Sequence, residues 1–233
     1  MRLGATYESL PKPGPGRCGK SREIRCPGMS TPVNPGNESP RRLDLDDADV
    51  SLLLEAFAEP EAWELFRELR RGIDWRQEEV VIFGRSRLVP RLVAWHGDPG
   101  ASYTYSGTPH EPLPWTPALE QARRRVQELS GLQFNAVLLN LYRDGRDGMG
   151  WHADDEPELG SDPAIASVSL GAVRRFCLRH RRRKGLRTDL SLPHGSLLLM
   201  AGATQGHWVH ALPKTAVPVG ERINLTFRRV GIR

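Results

Sequence analysis

The sequence predicts a mostly β fold, an α+β chain in which two N-terminal helices support a sandwich or jelly roll. Two segments with helical periodicity lie before residue 132. From Gln133 onward the apolar residues come in short runs, separated by turn signals rich in glycine and proline. These runs predict strands near residues 133–143, 164–171, 174–180, 188–192, 196–200, 206–212 and 221–230.

The first 42 residues differ in composition from the rest. They contain seven prolines and six glycines but a single aromatic residue, Tyr7. Such a segment cannot bury enough apolar surface to offset the entropy lost on ordering. We therefore expect a disordered extension over residues 1–42 and one domain over residues 43–233, with Met29 as an alternative start of the chain.

The domain is expected to open with a strand near residues 50–54 and a helix over about residues 60–71. Pro60 suits the first turn of this helix, and Gly72 follows its last residue. The spacing of its large apolar side chains predicts a buried stripe made of Trp63, Phe66 and Leu69.

Residues 80–97 are strand-like, with a glycine and a proline as interruptions, and a second helix follows. Thr116 is expected to be its N-cap, with Pro117 at the first helical position and Gly131 at the end. Its inner face is predicted to consist of Leu119, Ala122, Val126 and Leu129.

A candidate metal site is formed by His152, Asp154 and His210. Two imidazoles and one carboxylate can occupy one face of an octahedral ion and leave three positions open, as in non-haem Fe(II) oxygenases. The two-residue spacing of His152 and Asp154 suits a strand, on which alternate side chains share a face. The bare pattern also fits ordinary polar residues. By strand parity His207 faces away from His210, so we do not expect it to be a ligand.

The last predicted strand alternates between apolar and polar side chains. Its apolar face consists of Ile223, Leu225 and Phe227, and its polar face of Arg222, Asn224, Thr226 and Arg228. Guanidinium groups bind carboxylates bidentately, so the polar face suits a small dicarboxylate. The upstream strand has Asn140 and Tyr142 on one face. The alternative for each strand is an ordinary solvated polar face.

These residues together resemble the AlkB family of Fe(II)/2-oxoglutarate dioxygenases, which remove alkyl groups from nucleic-acid bases. The resemblance runs from about residue 48 to the C-terminus and is strongest to the branch that acts on double-stranded DNA. It implies a double-stranded β-helix, the jelly roll of this family, and the use of Fe(II), 2-oxoglutarate and O2. Its motifs are Asn140-x-Tyr142, His152-x-Asp154, His210 and Arg222-x-Asn224-x-Thr226-x-Arg228.

The resemblance also implies roles for these residues. His152, Asp154 and His210 hold the iron and so serve the catalysis. Arg222 and Arg228 neutralise the two carboxylates of 2-oxoglutarate, and the hydrogen bonds to it come from Asn140, Tyr142, Asn224 and Thr226.

Further positions are expected to contact an alkylated base, for which the base must leave the duplex. Phe83 and Gly84 align with a base-flipping finger, and Phe83 is the expected wedge. The remaining base-contacting positions implied by the resemblance are Arg91, Tyr103, Tyr105, Asp155 and Glu156. A carboxylate at residue 155 or 156 can pair with a cationic lesion such as 1-methyladenine or 3-methylcytosine. An ordinary core phenylalanine is the alternative for Phe83.

The charge of the chain agrees with a nucleic-acid partner without proving one. The formal net charge is +5 and the pI is about 9.4. The densest basic run, residues 174–187, joins two predicted strands. A loop between the same strands grips the duplex in the similar branch, although this one is several residues shorter. A solvated hairpin tip is the alternative.

Three scattered cysteines predict no disulfide framework, and no run is apolar enough to predict a membrane span. We expect a monomer in the cytoplasm, associated with the nucleoid in a prokaryote and nuclear in a eukaryote. The expected partner is alkylated DNA, duplex before single-stranded DNA or RNA. Three alternatives stay open: a 2-oxoglutarate-dependent hydroxylase of RNA, protein or a small molecule; a non-catalytic jelly-roll binding protein; and a zinc hydrolase, since zinc accepts the same ligands.

Overall fold

The computed structural model describes residues 40–82, 85–105 and 108–231, and the side chains of residues 80–82, 85, 103–105 and 108–110 are outside this description. The helices are α1 (Glu59–Gly72), α2 (Pro117–Ser130) and the short α3 (Thr204–His207). The strands before α2 are β1 (Arg41–Arg42), β2 (Asp49–Leu53), β3 (Glu79–Ile82), β4 (Arg85–Leu88), β5 (Leu92–Gly97), β6 (Tyr103–Tyr105) and β7 (Thr108–His110). Those after it are β8 (Ala136–Tyr142), β9 (Met149–His152), β10 (Ile165–Gly171), β11 (Arg174–His180), β12 (Arg187–Leu192), β13 (Ser196–Ala201), β14 (Trp208–Leu212) and β15 (Arg222–Arg228).

Two antiparallel sheets form the body of residues 40–231. The major sheet has the order β1-β2-β13-β10-β15-β8-β5, and the minor sheet has the order β12-β11-β14-β9. Two separate hairpins, β3–β4 and β6–β7, complete the described strands. The predicted class, a mostly β jelly roll with supporting helices, is confirmed. Pairing begins at Arg41, just before the boundary that composition predicts at residue 43.

Apolar and polar side chains alternate along β8 and β15. This alternation determines which side chains pack against the helices and which point towards the minor sheet. Ile223, Leu225 and Phe227 pack in one core cluster with Leu139, Leu141 and the buried residues of α1 and α2. The polar residues of the two strands point the other way, towards the minor sheet. Every residue of β15 is buried, so the alternative of a solvated polar face is wrong.

Helix α2 agrees with its sequence signals. The Thr116 hydroxyl accepts a hydrogen bond from the Leu119 N–H at 3.3 Å, and Gly131 ends the helix with φ at 71°. Glycine adopts this left-handed backbone conformation readily because it has no Cβ atom.

The buried stripe predicted for α1 is confirmed at Leu69, but its first two positions lie one residue earlier than predicted. Ala62, Leu65 and Leu69 are buried, Phe66 is partly buried, and Trp63 is 38% exposed. The physical reason is that Trp63 lies beside the core and stacks on His194, with ring centroids 4.1 Å apart. A large apolar residue need not occupy the centre of the stripe.

Two elements differ from the predicted strands. The segment expected to be strand from residue 206 begins instead with α3, and β14 starts only at Trp208. Strand β9 was anticipated only by the spacing of His152 and Asp154, and it ends at His152. Within the described residues, no helix is both long and apolar enough to cross a membrane.

Candidate active site

The candidate metal ligands meet where β9 and β14 pair. His152 is the direct partner of His210 in this antiparallel pair, and their rings lie 4.2 Å apart between centroids. Asp154 follows two residues after β9 ends, and its Oδ2 lies 3.5 Å from His210 Nε2. The ligand atoms of the three residues all lie within 4.8 Å of one another, which suits a shared metal ion.

Hydrogen bonds fix the orientation of this group. The Nδ1 atom of His152 lies 2.8 Å from the Gly150 carbonyl oxygen, so Nδ1 carries the proton and Nε2 keeps its lone pair for a metal. The Asp154 N–H donates to the Gln205 side-chain oxygen at 3.0 Å. The Phe176 ring stacks against His210 at 5.3 Å.

The electrostatics favour a charged Asp154 carboxylate beside a neutral His210 imidazole. Burial alone would raise the pKa of Asp154, but the positive charge of Arg228, with the two histidines, outweighs burial and holds that pKa below its ordinary value. Burial, followed by the charge of His152, lowers the pKa of His210 to about 3. Neutral imidazole and ionised carboxylate are the forms that bind divalent metals.

Arg228 lies directly against the metal-ligand carboxylate. Its guanidinium contacts Asp154 Oδ1, and both side chains are almost fully buried. A buried carboxylate needs such a cation in order to remain ionised.

Arg222 is a second buried guanidinium, and its described polar partners are neutral. Nη2 donates to the Ser169 hydroxyl at 2.9 Å, the side chain also hydrogen-bonds Tyr142, and Nε has no hydrogen-bond partner among the described residues. Burial lowers the pKa of Arg222 to about 10, so the group stays charged near neutral pH. A buried cation with neutral partners suits an anionic ligand.

Asn224 and Thr226 form a hydrogen-bonded chain inside the major sheet. The Asn224 amide nitrogen donates to the Ser167 hydroxyl at 2.8 Å and to the Val168 carbonyl at 2.9 Å. The Thr226 hydroxyl donates to the Asn224 side-chain oxygen at 3.0 Å. Both amide hydrogens of Asn224 are thus engaged, so this residue orients its neighbours.

Arg91, expected to contact the lesion, is buried beside Asn140 of the candidate site. It is 3% exposed, and its Nε donates to the Asn140 side-chain oxygen at 2.7 Å. That bond fixes the amide of Asn140 so that its nitrogen is the atom left for other partners. Arg91 is thus linked to the candidate site through Asn140.

Arg174 has structural contacts beside the site that the sequence did not predict, because its partners are main-chain atoms of two distant loops. Its guanidinium donates to the carbonyl oxygens of Asp144, Asp147 and Pro213 at 2.9–3.1 Å. It also lies 5.9 Å from the ring centre of Tyr142. Arg174 joins the β8–β9 loop to the β14–β15 loop next to the two strands that carry Tyr142 and Arg222.

Ser167 and Ser169 were missed as well, although a signal existed. They alternate with apolar residues along β10, and their side chains face those of Asn224 and Arg222. A period-two reading of this strand would have placed them on the polar face.

One cavity of about 610 Å³, counted with its open mouth, brings the metal and co-substrate candidates together. Apolar side chains that include Leu138, Met200 and Leu212 make up much of the rest of its wall. The candidates that line it are His152, Asp154, His210, Asn140, Tyr142, Arg222, Asn224, Thr226 and Arg228.

The residues expected to contact the base have mixed outcomes. Glu156 lines the cavity. Asp155 does not, and its carboxylate is ion-paired with Arg181 of the basic run. Phe83 and Gly84 lie outside the described residues, as do the side chains of Tyr103 and Tyr105, whose backbone belongs to β6.

A second group of possible ligand atoms, from Asp47, His180 and His207, lies apart from the cavity. His180 Nδ1 accepts the backbone N–H groups of residues 182 and 183, so the neutral ring carries its proton on Nε2, which lies 3.3 Å from Asp47 Oδ2. With both nitrogens engaged in this way, the group is a hydrogen-bonded cluster and not a metal site. His207 is not grouped with His152, Asp154 and His210, and it lies in α3 and not on the strand from which its orientation was predicted.

Comparison with known families accounts for this geometry. The sequence pattern of the 2OG-Fe(II) oxygenase superfamily matches residues 49–228. This chain belongs to that superfamily. The enzyme is a 2-oxoglutarate-dependent dioxygenase that uses Fe(II), 2-oxoglutarate and O2, which confirms the cofactors expected from the resemblance.

Curated relatives place the chain among AlkB-type members of the superfamily. It is 44% identical over 184 residues to the mouse DNA oxidative demethylase ALKBH2, covering 75% of this chain and 77% of that protein. It is 40% identical to human ALKBH2, covering 88% and 83%. It is 42% identical to the bovine alpha-ketoglutarate-dependent dioxygenase alkB homolog 3, covering 73% and 62%. The resemblance to the AlkB family is confirmed.

Solved structures support the fold. The structure of OsALKBH1 superposes with a TM-score of 0.59 at 16% identity, covering 77% of this chain and 96% of that one. An oxidoreductase of the 2OG-Fe(II) oxygenase family from Burkholderia pseudomallei superposes with a TM-score of 0.51 at 14% identity, covering 78% and 86%.

Proposed function

We propose that this enzyme oxidatively dealkylates bases in DNA, with cationic lesions such as 1-methyladenine and 3-methylcytosine as substrates. The observation that carries the proposal is the single cavity in which a His-Asp-His group and two buried guanidiniums lie together. The names of the relatives that are 40–44% identical, DNA oxidative demethylases among them, supply the substrate class. The reaction is direct reversal of alkylation damage.

In this proposal His152 Nε2, Asp154 and His210 Nε2 hold the iron. Arg222 and Arg228 bind the two carboxylates of 2-oxoglutarate, and Asn140, Tyr142 and Thr226 donate or accept hydrogen bonds beside them. Asn224 keeps Thr226 in place through the bond between their side chains. The donor set fits both groups. The His210 imidazole is neutral, His152 keeps a lone pair on Nε2, and the Asp154 carboxylate is ionised. Arg222 has no described carboxylate partner.

When bound with 2-oxoglutarate and O2, the iron supplies the oxidation that hydroxylates the alkyl carbon, with succinate and carbon dioxide as co-products; the hydroxylated group then leaves as an aldehyde. The chain positions the reactants for this step. Apolar side chains at Phe176, Met200 and Leu138 exclude water from the cavity, which strengthens the interactions of its charged groups. Glu156, on the wall of the same cavity, offers a carboxylate to a cationic base.

The finer features of the substrate belong to the same proposal. Double-stranded DNA is the preferred form of the substrate. Phe83 fills the space that the extruded base leaves in the duplex, and Tyr105 and His152 stack on the extruded base. The protein acts as a monomer in the compartment that holds the DNA. The exposed basic side chains of the run, which follow the buried Arg174, contact phosphates, which predicts binding that weakens steeply with salt.

The test is formaldehyde release from one oligonucleotide sequence that carries 3-methylcytosine, presented as duplex DNA, single-stranded DNA and RNA. Each reaction contains Fe(II), 2-oxoglutarate and ascorbate, and His152→Ala is the control without a metal ligand. We expect release from DNA in wild-type protein and none in the variant. Release strongest on the duplex would support the stated preference.

Two results would count against the proposal. Succinate formed without formaldehyde from any of the three would mean that the substrate is not an alkylated base of this kind, and would favour a hydroxylase of protein or a small molecule. Iron-dependent release that persists in His152→Ala would remove His152 from the metal site.

A further inference from the structure

Trp151 lies immediately before a metal-ligand candidate yet faces away from the cavity. His152 lines the cavity, whereas Trp151 is 40% exposed on the opposite face of the minor sheet. That outer face also carries Arg179 of β11 and Arg187 of β12, which are direct partners in their strand pair. Arg179 has Val209 of β14 as its partner on the other side, so these residues form one row across the sheet.

Two guanidinium groups lie over the Trp151 indole. The central carbon of Arg179 is 4.4 Å from the ring centre, and that of Arg187 is 5.7 Å from it. Such distances are typical of cation–π contacts. The guanidiniums cover part of the indole, and the remaining exposed surface of the ring lies beside positive charge.

The charge of this row is mostly unneutralised. Asp189 is shared between Arg187 at 3.2 Å and Arg175 at 3.7 Å. In the described part of the chain no carboxylate forms a salt bridge with Arg179. Three guanidiniums therefore share one carboxylate, which favours a polyanionic partner.

The exposed ring distinguishes this surface from a patch that binds phosphates alone. Exposed aromatic side chains beside cations are how proteins hold single-stranded nucleic acids, because each base has a face that can stack. A base in a duplex is already stacked on both sides and cannot lie on such a ring. The surface therefore fits a strand that is locally unpaired.

We propose that Trp151 stacks on an unpaired base of DNA, while Arg179 and Arg187 contact the phosphates beside that base. The proposal takes its partner, DNA, from the proposed function, but it requires neither iron nor an alkylated base. Trp151 thereby adds affinity for single strands and none for a duplex.

The experiment measures dissociation constants by fluorescence anisotropy with an unmodified, labelled oligothymidine, alone and annealed to its complement. We expect Trp151→Ala to weaken single-strand binding about tenfold and to leave duplex binding within about twofold, given the usual contribution of one stacked base. Trp63→Ala is the matched control, since Trp63 is equally exposed but stacks on His194 without an arginine over it. No loss, or an equal loss on both forms, overturns the proposal.

A second variant covers the case in which Trp151→Ala does not fold. Trp151→Phe keeps a ring, so it should bind the single strand nearly as well as wild-type protein. It should also lose most of the tryptophan quenching that oligothymidine causes in wild-type protein. Undiminished quenching would show that no base stacks on residue 151 and would overturn the proposal, while formaldehyde release from lesion DNA tests the proposed function separately.

Discussion

Arg222 and Arg174 are two buried arginines near the ring of Tyr142, and their guanidinium groups have different hydrogen-bond acceptors. The central carbon of Arg222 lies 5.4 Å from the ring centre, and that of Arg174 lies 5.9 Å from it. Carbonyl oxygens from two loops satisfy Arg174, whereas Arg222 is left with hydroxyl partners. Arg222 is therefore suited to bind the co-substrate, and Arg174 to hold the loops around it.

We expect Arg174→Met to raise the KM for 2-oxoglutarate about tenfold, because hydrogen bonds from a charged group contribute roughly 1.5–3 kcal/mol. The KM for DNA should change much less. Initial rates at varied 2-oxoglutarate measure both, with Arg124→Met on the exposed side of α2 as the control. An unchanged KM for 2-oxoglutarate would show that the loops hold their positions without Arg174.

Arg91→Met tests whether this residue serves Asn140 or the lesion. Because Arg91 Nε bonds the Asn140 side-chain oxygen, its loss should weaken 2-oxoglutarate binding several-fold, as measured by calorimetry on protein with a redox-inert metal. The Arg91→Lys variant keeps the charge and should lose less. A change confined to the KM for alkylated DNA would instead restore the role that the resemblance implies.

At the scale of the elements, the period-two patterns of β8 and β15 predicted which side chains share the cavity, because a strand fixes that alternation locally. Asp154 could not be placed in the same way, since β9 ends at His152 and Asp154 is held from α3 by Gln205. Arg174 was equally beyond prediction, because its partners belong to loops whose approach depends on both sheets.

The β8–β9 and β14–β15 loops pack so closely that adding one methyl group between them should destabilise the fold. A Cβ on Gly145 would lie 2.3 Å from the Thr215 carbonyl oxygen, a backbone atom that cannot move alone. We expect Gly145→Ala to cost about 1–3 kcal/mol, which lowers Tm by roughly 2–4 °C per kcal/mol in a domain of this size. Differential scanning fluorimetry measures the shift, and Gly72→Ala, where a Cβ meets nothing within 4 Å, should not lower Tm.

At the scale of the whole molecule, three histidines with lowered pKa values make stability depend on pH. Burial lowers the pKa values of His96 and His194, and it lowers that of His210 to about 3 in the metal-free protein. The His96 Nδ1 atom donates to the Pro114 carbonyl oxygen. If Nε2 were protonated as well, no described residue would accept a hydrogen bond from it.

The direction of this pH dependence of stability follows from proton linkage. Below about pH 6.5 the unfolded chain binds protons at these histidines that the folded chain does not, so stability falls as pH falls. We expect the Tm of metal-free protein to decrease steadily from neutral pH to about pH 5. His96→Asn should decrease less over the same interval, and an identical slope in the variant would exclude a contribution from His96.

The position of β15 in the sheet bears on how the protein is made. This strand is synthesised after every other described strand, yet it lies between β10 and β8 and carries Arg222 and Arg228. The major sheet therefore keeps a gap in its middle until residues 222–228 have been synthesised and can pair. Shorter nascent chains lack Arg222 and Arg228 for the co-substrate, and they expose one unpaired edge on each of β10 and β8, which favours aggregation.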